Sequence, residues 1–194
     1  MKKLIQATVT SSCEEHIISK NRYRLSELSR EHLGQINTWR NDPEVVDLLG
    51  NNFLFITEEV DNAWYDNYLN NRRTQVRLAI VALDTGNHIG NVQLTDIHPI
   101  NRSAEFSILI GDRRYWNKGA GTYAMQEMLR HGFLDLNLNR IVLTVLPHNA
   151  PAIALYQKCG FVHEGCDRQA IYKGGTYHDL LRMALLREDY LRQR

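Results

Sequence analysis

The sequence has 194 residues, 43% of them hydrophobic, and a formal net charge of +1 at pH 7. That size suits one globular domain, and so balanced a charge favours neither nucleic acid nor an anionic membrane as a partner. The three cysteines have no metal-ligand spacing, and no apolar run approaches the roughly 20 residues that span a bilayer. We therefore predict a single domain over residues 1–194, with residues 1–20 as an irregular extension, and a cytoplasmic location.

The first third of the sequence is predicted to be mainly helical. Residues 21–26 predict a short strand, and the apolar residues of 28–39 recur at roughly helical spacing. Pro43 follows, and the residue before a proline avoids helical backbone, so the first helix ends there. A second short helix is predicted over residues 44–49. A third begins after Thr57, whose hydroxyl suits the N-cap position.

Strands dominate the remainder. Residues 76–83 and 88–98 predict two strands, and the sequence DTGN between them indicates a hairpin turn. The further elements, in order, are a strand at 103–111, a helix to about residue 133, a strand at 140–146, a helix at 149–160 and two strands joined at 173–175. This order predicts an α/β (α+β) domain, with a mixed, mostly antiparallel sheet of about seven strands flanked by helices.

A glycine-rich turn, WNKGAGT at residues 116–122, leads directly into the predicted helix. The amino terminus of a helix carries about half a positive elementary charge, and its free N–H groups can bind a phosphate. Gly119 and Gly121 lack the β-carbons that would hold a phosphate away, and Lys118 can add a charge. The turn has neither a Walker ending nor the GxGxxG pattern. The alternative interpretation is that the turn only begins the helix and that its two glycines have no role in ligand binding.

A second motif, NAPAIALYQKCGF, lies at residues 149–161. Together with EFSILIGDRRYWNKGAGTYAM at 105–125, it resembles the two central motifs of the GNAT superfamily of acyl-CoA-dependent N-acetyltransferases. The first resembles that family's Q/R-x-x-G-x-G/A turn, which binds the coenzyme A pyrophosphate. The segments at 39–45 and 164–186 resemble the RimJ/RimL-like branch of ribosomal-protein N-acetyltransferases and, more loosely, bacterial spermidine acetyltransferases. The resemblance extends from about residue 23 to residue 186.

This resemblance implies acetyl-CoA as the cosubstrate and no metal. Trp116 departs from the usual Gln or Arg, and Asn117 replaces a frequent glycine, although asparagine tolerates positive φ better than most residues. Asn149 is expected to hydrogen-bond the pantetheine arm or a water beside it; a plain N-cap is its alternative. The coenzyme-binding residues that the resemblance implies are Leu109, Ile110, Trp116, Asn117, Lys118, Gly119, Ala120, Gly121, Thr122 and Asn149.

Direct attack of an amine on a thioester needs a proton acceptor for the amine and a proton donor for the leaving thiolate. The resemblance implies that Tyr156 is the general acid, since the family's tyrosine points at the coenzyme sulfur; a core aromatic residue is the alternative. Glu105 matches a glutamate that acts as the base in this branch, directly or through water; a solvated strand-edge carboxylate is the alternative. His98 and His148 are fallback bases.

The amine acceptor is left open by the sequence. A protein amino terminus, a polyamine, an amino sugar and an aminoglycoside are the candidates, and the lower pKa of an α-amino group, about 8, slightly favours the first. Specificity is expected to come from residues 28–75 and the hairpin at 168–178. We expect an enzyme that forms a homodimer. A non-catalytic acyl-CoA-binding module on the same fold is the alternative.

Overall fold

The computed structural model describes residues 22–52 and 54–193, so the predicted extension over residues 1–20, with Cys13, lies outside the described residues. The strands are β1 (Tyr23–Glu27), β2 (Val76–Ala82), β3 (His88–His98), β4 (Ser103–Ile110), β5 (Arg140–Val145), β6 (Val162–Lys173) and β7 (Thr176–Leu186). They form a seven-stranded sheet in the order β1-β2-β3-β4-β5-β7-β6. Among these strands only β4 and β5 pair in parallel, which confirms the predicted mixed, mostly antiparallel sheet.

The helices pack around this sheet. They are α1 (Leu33–Arg40), α2 (Pro43–Asp47), α3 (Glu58–Asn70), α4 (Ala120–Arg130), α5 (Ala150–Lys158) and α6 (Arg187–Arg192). The carboxylate of Asp42 accepts a hydrogen bond from the N–H of Glu44, and Pro43 lies in the first turn of α2. Thr57 is the N-cap residue of α3, with extended backbone. The predicted helix break at Pro43 and the predicted start of the third helix are therefore confirmed.

Two glycines lie at the points where the sequence predicts the end of a strand and the end of a helix. Gly86, in the turn between β2 and β3, has a φ of 71°, and Gly160, after α5, has a φ of 92°. Residues with a β-carbon rarely adopt this left-handed conformation, so glycine lets the chain reverse at both points. The hairpin after β2 and the end of the α5 helix are thereby set by local sequence.

The two faces of the sheet bury separate apolar clusters. On one face α4 packs against β3 and β4, and its buried residues are Ala120, Ala124, Met125, Met128 and Leu129. The helices before β2 cover the other face, where the cluster includes Leu33, Ile36, Trp39, Val45, Tyr65 and Tyr68. Successive side chains of a strand face opposite sides. In β4, accordingly, Phe106 belongs to the first cluster and Leu109 packs against the second.

Gly111→Ala is expected to destabilise the fold by about 1–3 kcal/mol, the usual cost of overpacking. A β-carbon at Gly111 would lie 1.9 Å from Cδ2 of Trp39, whose indole ring is buried and cannot move away. Urea unfolding measures the change. Gly34→Ala is the matched control, because a β-carbon there meets no atom within 4 Å and alanine favours the helix. Equal free energies of unfolding for the two variants would contradict this packing.

Candidate active site

A cleft opens in the sheet where β4 and β5 separate. The two strands pair only from Ser103 opposite Arg140 to Glu105 opposite Val142. Beyond that point β4 continues along β3, and β5 continues along β7. The facing edges of β4 and β5 then have no strand partner among the described residues, so their backbone groups are available to a ligand. The cleft has a volume of about 970 Å³ and extends from the glycine-rich turn to the polar residues around Glu105.

The glycine-rich turn forms one end of the cleft. Asn117 and Gly119 adopt left-handed backbone, with φ of 57° and 87°, and Gly119 is the N-cap residue of α4. The N–H of Tyr123 donates to the carbonyl of Gly119 at 3.0 Å. The amides that precede Tyr123 in the first turn have no intrahelical acceptor. This arrangement can bind an anionic group such as a phosphate.

Trp116 links this turn to the end of β4 by a hydrogen bond, in which its indole Nε1 donates to the carbonyl of Ile110 at 2.7 Å. For Lys118, the coenzyme contact stays a prediction: its amide donates to the carbonyl of Tyr115 at 3.4 Å, and its Nζ lies 6.0 Å from the centroid of the Tyr115 ring, outside the cleft lining. The other predicted coenzyme-binding residues do line the cleft, and they are Leu109, Ile110, Trp116, Asn117, Gly119, Ala120, Gly121, Thr122 and Asn149.

Asn149 holds two parts of the cleft wall together. Its Oδ1 accepts from the N–H of Ala152 at 3.2 Å, which makes it the N-cap residue of α5. Its Nδ2 donates to the carbonyl of Leu48 at 3.0 Å, in the loop after α2. The N-cap interpretation is therefore confirmed. The same side chain lines the cleft, so a cap and a ligand contact are compatible.

Tyr156 is both a core residue and a cleft residue. Its side chain is 7% exposed, with ring centroids of Phe106 and Phe161 at 6.4 and 6.1 Å, yet it lines the cleft. Burial raises the pKa of the Tyr156 phenol to about 12. None of the described residues forms a hydrogen bond with its hydroxyl group. The hydroxyl therefore stays protonated at neutral pH and has a hydrogen bond to donate.

Glu105 lies opposite Thr95 of β3, at the point where β4 and β5 diverge. Its side chain is accessible from the cleft, but the surrounding protein removes part of its hydration. This partial desolvation raises the pKa of Glu105; the neighbouring carboxylate of Asp96 raises it further, and Arg182 opposes both. A carboxylate with a raised pKa is a stronger proton acceptor. His98 and His148, the fallback bases, do not line the cleft.

The loop at residues 48–51 forms part of the cleft wall, and the β6–β7 hairpin holds it in place. Nζ of Lys173 donates to the carbonyls of Val46 at 2.6 Å and Leu49 at 2.8 Å. Asn52 donates from Nδ2 to the carbonyl of Tyr172 at 2.8 Å. These contacts join segments more than 100 residues apart in the sequence. No local pattern in the sequence could have shown them.

Several polar side chains that were not predicted from the sequence line the cleft together with Glu105. They are Thr74, Gln75, Arg77, Gln93, Thr95, Asp96 and Ser107. Gln93 of β3 and Ser107 of β4 are paired in the sheet register, as are Thr95 and Glu105. A period-two pattern shows that such residues share a face of their own strand. Which residues of different strands come together depends on the register, which the sequence pattern alone does not supply.

Within residues 22–52 and 54–193, no group of three or more His, Cys, Asp or Glu side chains is arranged to hold a metal ion. None of the helices in these ranges is long and apolar enough to cross a bilayer.

Comparison with known proteins adds independent information. The family described as acetyltransferase (GNAT) domain matches residues 22–162. Spermidine N(1)-acetyltransferase of Vibrio cholerae serotype O1 is 40% identical over 105 residues, which are 54% of this chain and 60% of that protein. L-amino acid N-acetyltransferase AaaT of Escherichia coli K12 is 31% identical over 135 residues, 69% of this chain and 81% of that protein.

A solved structure matches over most of both chains. It is the crystal structure of spermidine N-acetyltransferase from Vibrio cholerae in complex with CoA and spermine. The TM-score is 0.81 at 29% sequence identity, with 88% of this chain and 98% of that chain covered. By contrast, the chain spans 60% of the length of the curated Vibrio relative in the sequence alignment.

Proposed function

This chain belongs to the GNAT family of acetyl-CoA-dependent N-acetyltransferases, and on that premise we propose that its cleft acetylates a small-molecule primary amine by direct attack. The observation that carries the proposal is that one and the same cleft is lined by the glycine-rich turn, Tyr156 and Glu105. An anion site, a proton donor and a proton acceptor are the three groups that this reaction needs.

The proposed coenzyme position follows the lining of the cleft. The pyrophosphate lies on the backbone amides of the turn at 117–121, apart from the Lys118 amide, which donates to Tyr115; the helix amino terminus favours negative charge there. The pantetheine arm follows the unpaired edge of β4 near Leu109 and Ile110, beside Asn149. A backbone N–H of this edge then donates to the thioester carbonyl and stabilises the oxyanion.

Tyr156 acts on the leaving group. The pKa of its phenol is raised to about 12, whereas a free thiol has a pKa of about 8.5. Complete proton transfer from the phenol to the thiolate would therefore be uphill. A hydrogen bond from the hydroxyl to the sulfur, strengthening as the sulfur gains charge, lowers the barrier without requiring that transfer in advance.

Glu105 acts on the amine. An amine attacks only in its neutral form, and a protonated amine is attracted to the carboxylates of Glu105 and Asp96. The raised pKa of Glu105 strengthens it as the acceptor of the amine proton, directly or through a water. Both carboxylates line the cleft, and Glu105 lies at the point where β4 and β5 diverge.

A small molecule is the acceptor class that the names of two relatives favour. These two similar proteins are named for spermidine and for L-amino acids, and both compounds present a primary amine. The loop at residues 48–51, fixed by Lys173, lines the same cleft as Glu105. The RimJ/RimL-like branch with a protein amino terminus as acceptor, and the homodimer, stay predictions.

The direct test is release of free thiol from acetyl-CoA with a panel of amines. We expect thiol release that depends on both acceptor and enzyme, with the acetylated amine identified by mass spectrometry. Reactions without acceptor give the background of thioester hydrolysis. Tight binding of acetyl-CoA without thiol release for any amine would favour the alternative, a non-catalytic acyl-CoA-binding module.

Glu105→Gln is expected to lower turnover by about tenfold near pH 7, since a positioned base is lost while the side-chain size is kept. Part of the loss should be recovered as the pH rises, because the neutral form of the amine then becomes abundant in solution. Turnover at saturating acetyl-CoA, from about pH 5.5 to 9.5, measures both effects. Parallel profiles with equal plateaus for the two proteins would show that Glu105 is not the base.

Asp96→Asn is the matched control for that experiment. Asp96 helps to raise the pKa of Glu105, and its backbone has a positive φ of 51°, which asparagine also tolerates. Removing this carboxylate lowers the pKa of Glu105. The wild-type enzyme loses activity as the pH falls through the raised pKa, so this acid limb should move to lower pH in Asp96→Asn.

A further inference from the structure

A side cavity of about 310 Å³ adjoins the amine end of the cleft, under α3 and the loop that follows α2. The two spaces share lining residues, among them Asn51, Arg77, Gln93 and Ser107. A ligand whose amine lies beside Glu105 can therefore extend toward this cavity. The side chains that line the side cavity should therefore determine which chemical groups the acceptor can carry beyond its reactive amine.

The charged groups that line the side cavity are cationic. Among the described residues they are Arg40 and Arg77, with no lining carboxylate. Arg40 is neutralised by an ion pair with Asp61, whose side chain is fully buried and also accepts from Nδ2 of Asn37 at 2.8 Å. Asp61 thus holds Arg40 in place. Arg77, by contrast, forms no ion pair with a described residue, although the carboxylate of Asp96 lies near enough to raise its pKa.

Arg77 is half-buried and held in a fixed position. Its guanidinium lies 4.8 Å from the centroid of the Trp64 ring, and its Nε donates to Oε1 of Gln75 at 2.8 Å. Nη1 donates to Oε1 of Gln93, whose Nε2 in turn donates to Oγ of Ser107 at 2.6 Å. No described residue accepts a hydrogen bond from Nη2, and none forms an ion pair with Arg77.

A half-buried cation without an ion-pair partner raises the free energy of the protein when no ligand is bound. Loss of hydration lowers the pKa of Arg77, and Arg40 lowers it further, while Tyr68 and Asp96 oppose this shift without reversing it. Part of the desolvation of the guanidinium is therefore complete before any ligand binds. A planar guanidinium with a free N–H edge matches a carboxylate or phosphate group. Trp64 and the hydrogen bond to Gln93 keep it oriented.

We propose that Arg77 selects an acceptor that carries an anionic group, carboxylate or phosphate, at a distance from its reactive primary amine. The amine binds beside Glu105 and Asp96, and the anion binds to Arg77 at the mouth of the side cavity. A polyamine places positive charge where Arg77 lies, and this repulsion disfavours it as the substrate. The inference rests on the proposed function, because it assigns the acceptor of that same cleft.

The test compares amines that differ in the anionic group. 4-Aminobutyrate is compared with 1-aminobutane, and O-phosphoethanolamine with ethanolamine, so that the two arms distinguish carboxylate from phosphate; spermidine is the third arm. We expect kcat/KM for an amine with the anionic group to exceed that of its partner without the group, and that of spermidine, by about 10- to 100-fold, the range expected for hydrogen bonds to a charged group. Acetylation of spermidine in preference to both anionic amines would overturn the inference.

Arg77→Gln should remove this preference, and Arg77→Lys, which keeps the charge but not the planar fork, should retain part of it. Arg24→Gln, an exposed strand arginine outside the cleft, is the matched control and should keep the full preference. Acetyl-CoA affinity and thermal unfolding show whether each variant is folded. An anionic preference that is undiminished in folded Arg77→Gln would overturn the assignment to Arg77.

Binding separates failure of the inference from failure of the proposed function. Calorimetry with 4-aminobutyrate and O-phosphoethanolamine on the CoA-saturated protein should show binding that is weakened about 10-fold or more in Arg77→Gln. Such binding without turnover would contradict the acetyltransferase function and leave the anion site standing. Turnover of amines with no anionic preference would support the function and overturn the anion site.

Discussion

Tyr156→Phe is expected to lower kcat by about ten- to a thousandfold, in the range that follows loss of a positioned proton donor. The change removes the hydroxyl and leaves the ring, which packs near Phe106 and Phe161. The fold should therefore be kept, while the leaving sulfur loses the hydroxyl group that Tyr156 contributes to the cleft lining. Steady-state and single-turnover thiol release measure the effect on the chemical step.

The affinity for acetyl-CoA should change little in this variant, because the proposed pyrophosphate site lies at the other end of the cleft. Tyr177→Phe is the matched control: Tyr177 is 64% exposed on the β6–β7 hairpin and does not line the cleft. A single-turnover rate equal to that of the wild type would leave Tyr156 with a packing role alone.

Gly121→Glu is expected to weaken acetyl-CoA binding by about 100-fold, the loss of roughly 3 kcal/mol of charge-assisted hydrogen bonding. A β-carbon at Gly121 would lie 3.2 Å from Cδ2 of Leu155, so the new side chain has little room between α4 and α5. Its carboxylate would also compete for the free amides of the turn and repel the pyrophosphate. Calorimetric titration with acetyl-CoA measures the dissociation constant.

Two further variants separate the effect of the added β-carbon from the effect of the added negative charge. Gly121→Ala adds the β-carbon without a charge and should weaken binding far less, since Leu155 needs to move only slightly. Gly34→Glu places a carboxylate in the first turn of α1, away from the cleft, and should leave binding at the wild-type level. Wild-type affinity in folded Gly121→Glu would mean that the pyrophosphate binds elsewhere.

The local structure and the two motifs were determined by the sequence itself. Pro43 ends the first helix, Gly86 and Gly160 reverse the chain, and Asn149 caps α5, as predicted. Each of these effects depends on the conformational freedom of one residue or on hydrogen bonds within a few residues, so a pattern in the sequence suffices to predict it. The two motifs could also be placed in one cleft, because the family resemblance supplied their relative position.

The tertiary structure alone decided which distant side chains meet at the amine end of the cleft. Glu105 pairs with Thr95 in the register of β3 and β4, and the next residue, Asp96, lies in a register irregularity with a φ of 51°, from where its carboxylate acts on Glu105. Lys173 holds the loop after α2 across more than 100 residues of sequence. The guanidinium of Arg77 lies beside Trp64 of α3 and Gln93 of β3, and no carboxylate among the described residues forms an ion pair with it. Such juxtapositions depend on packing between elements, and the energies of those contacts exist only once the chain has folded.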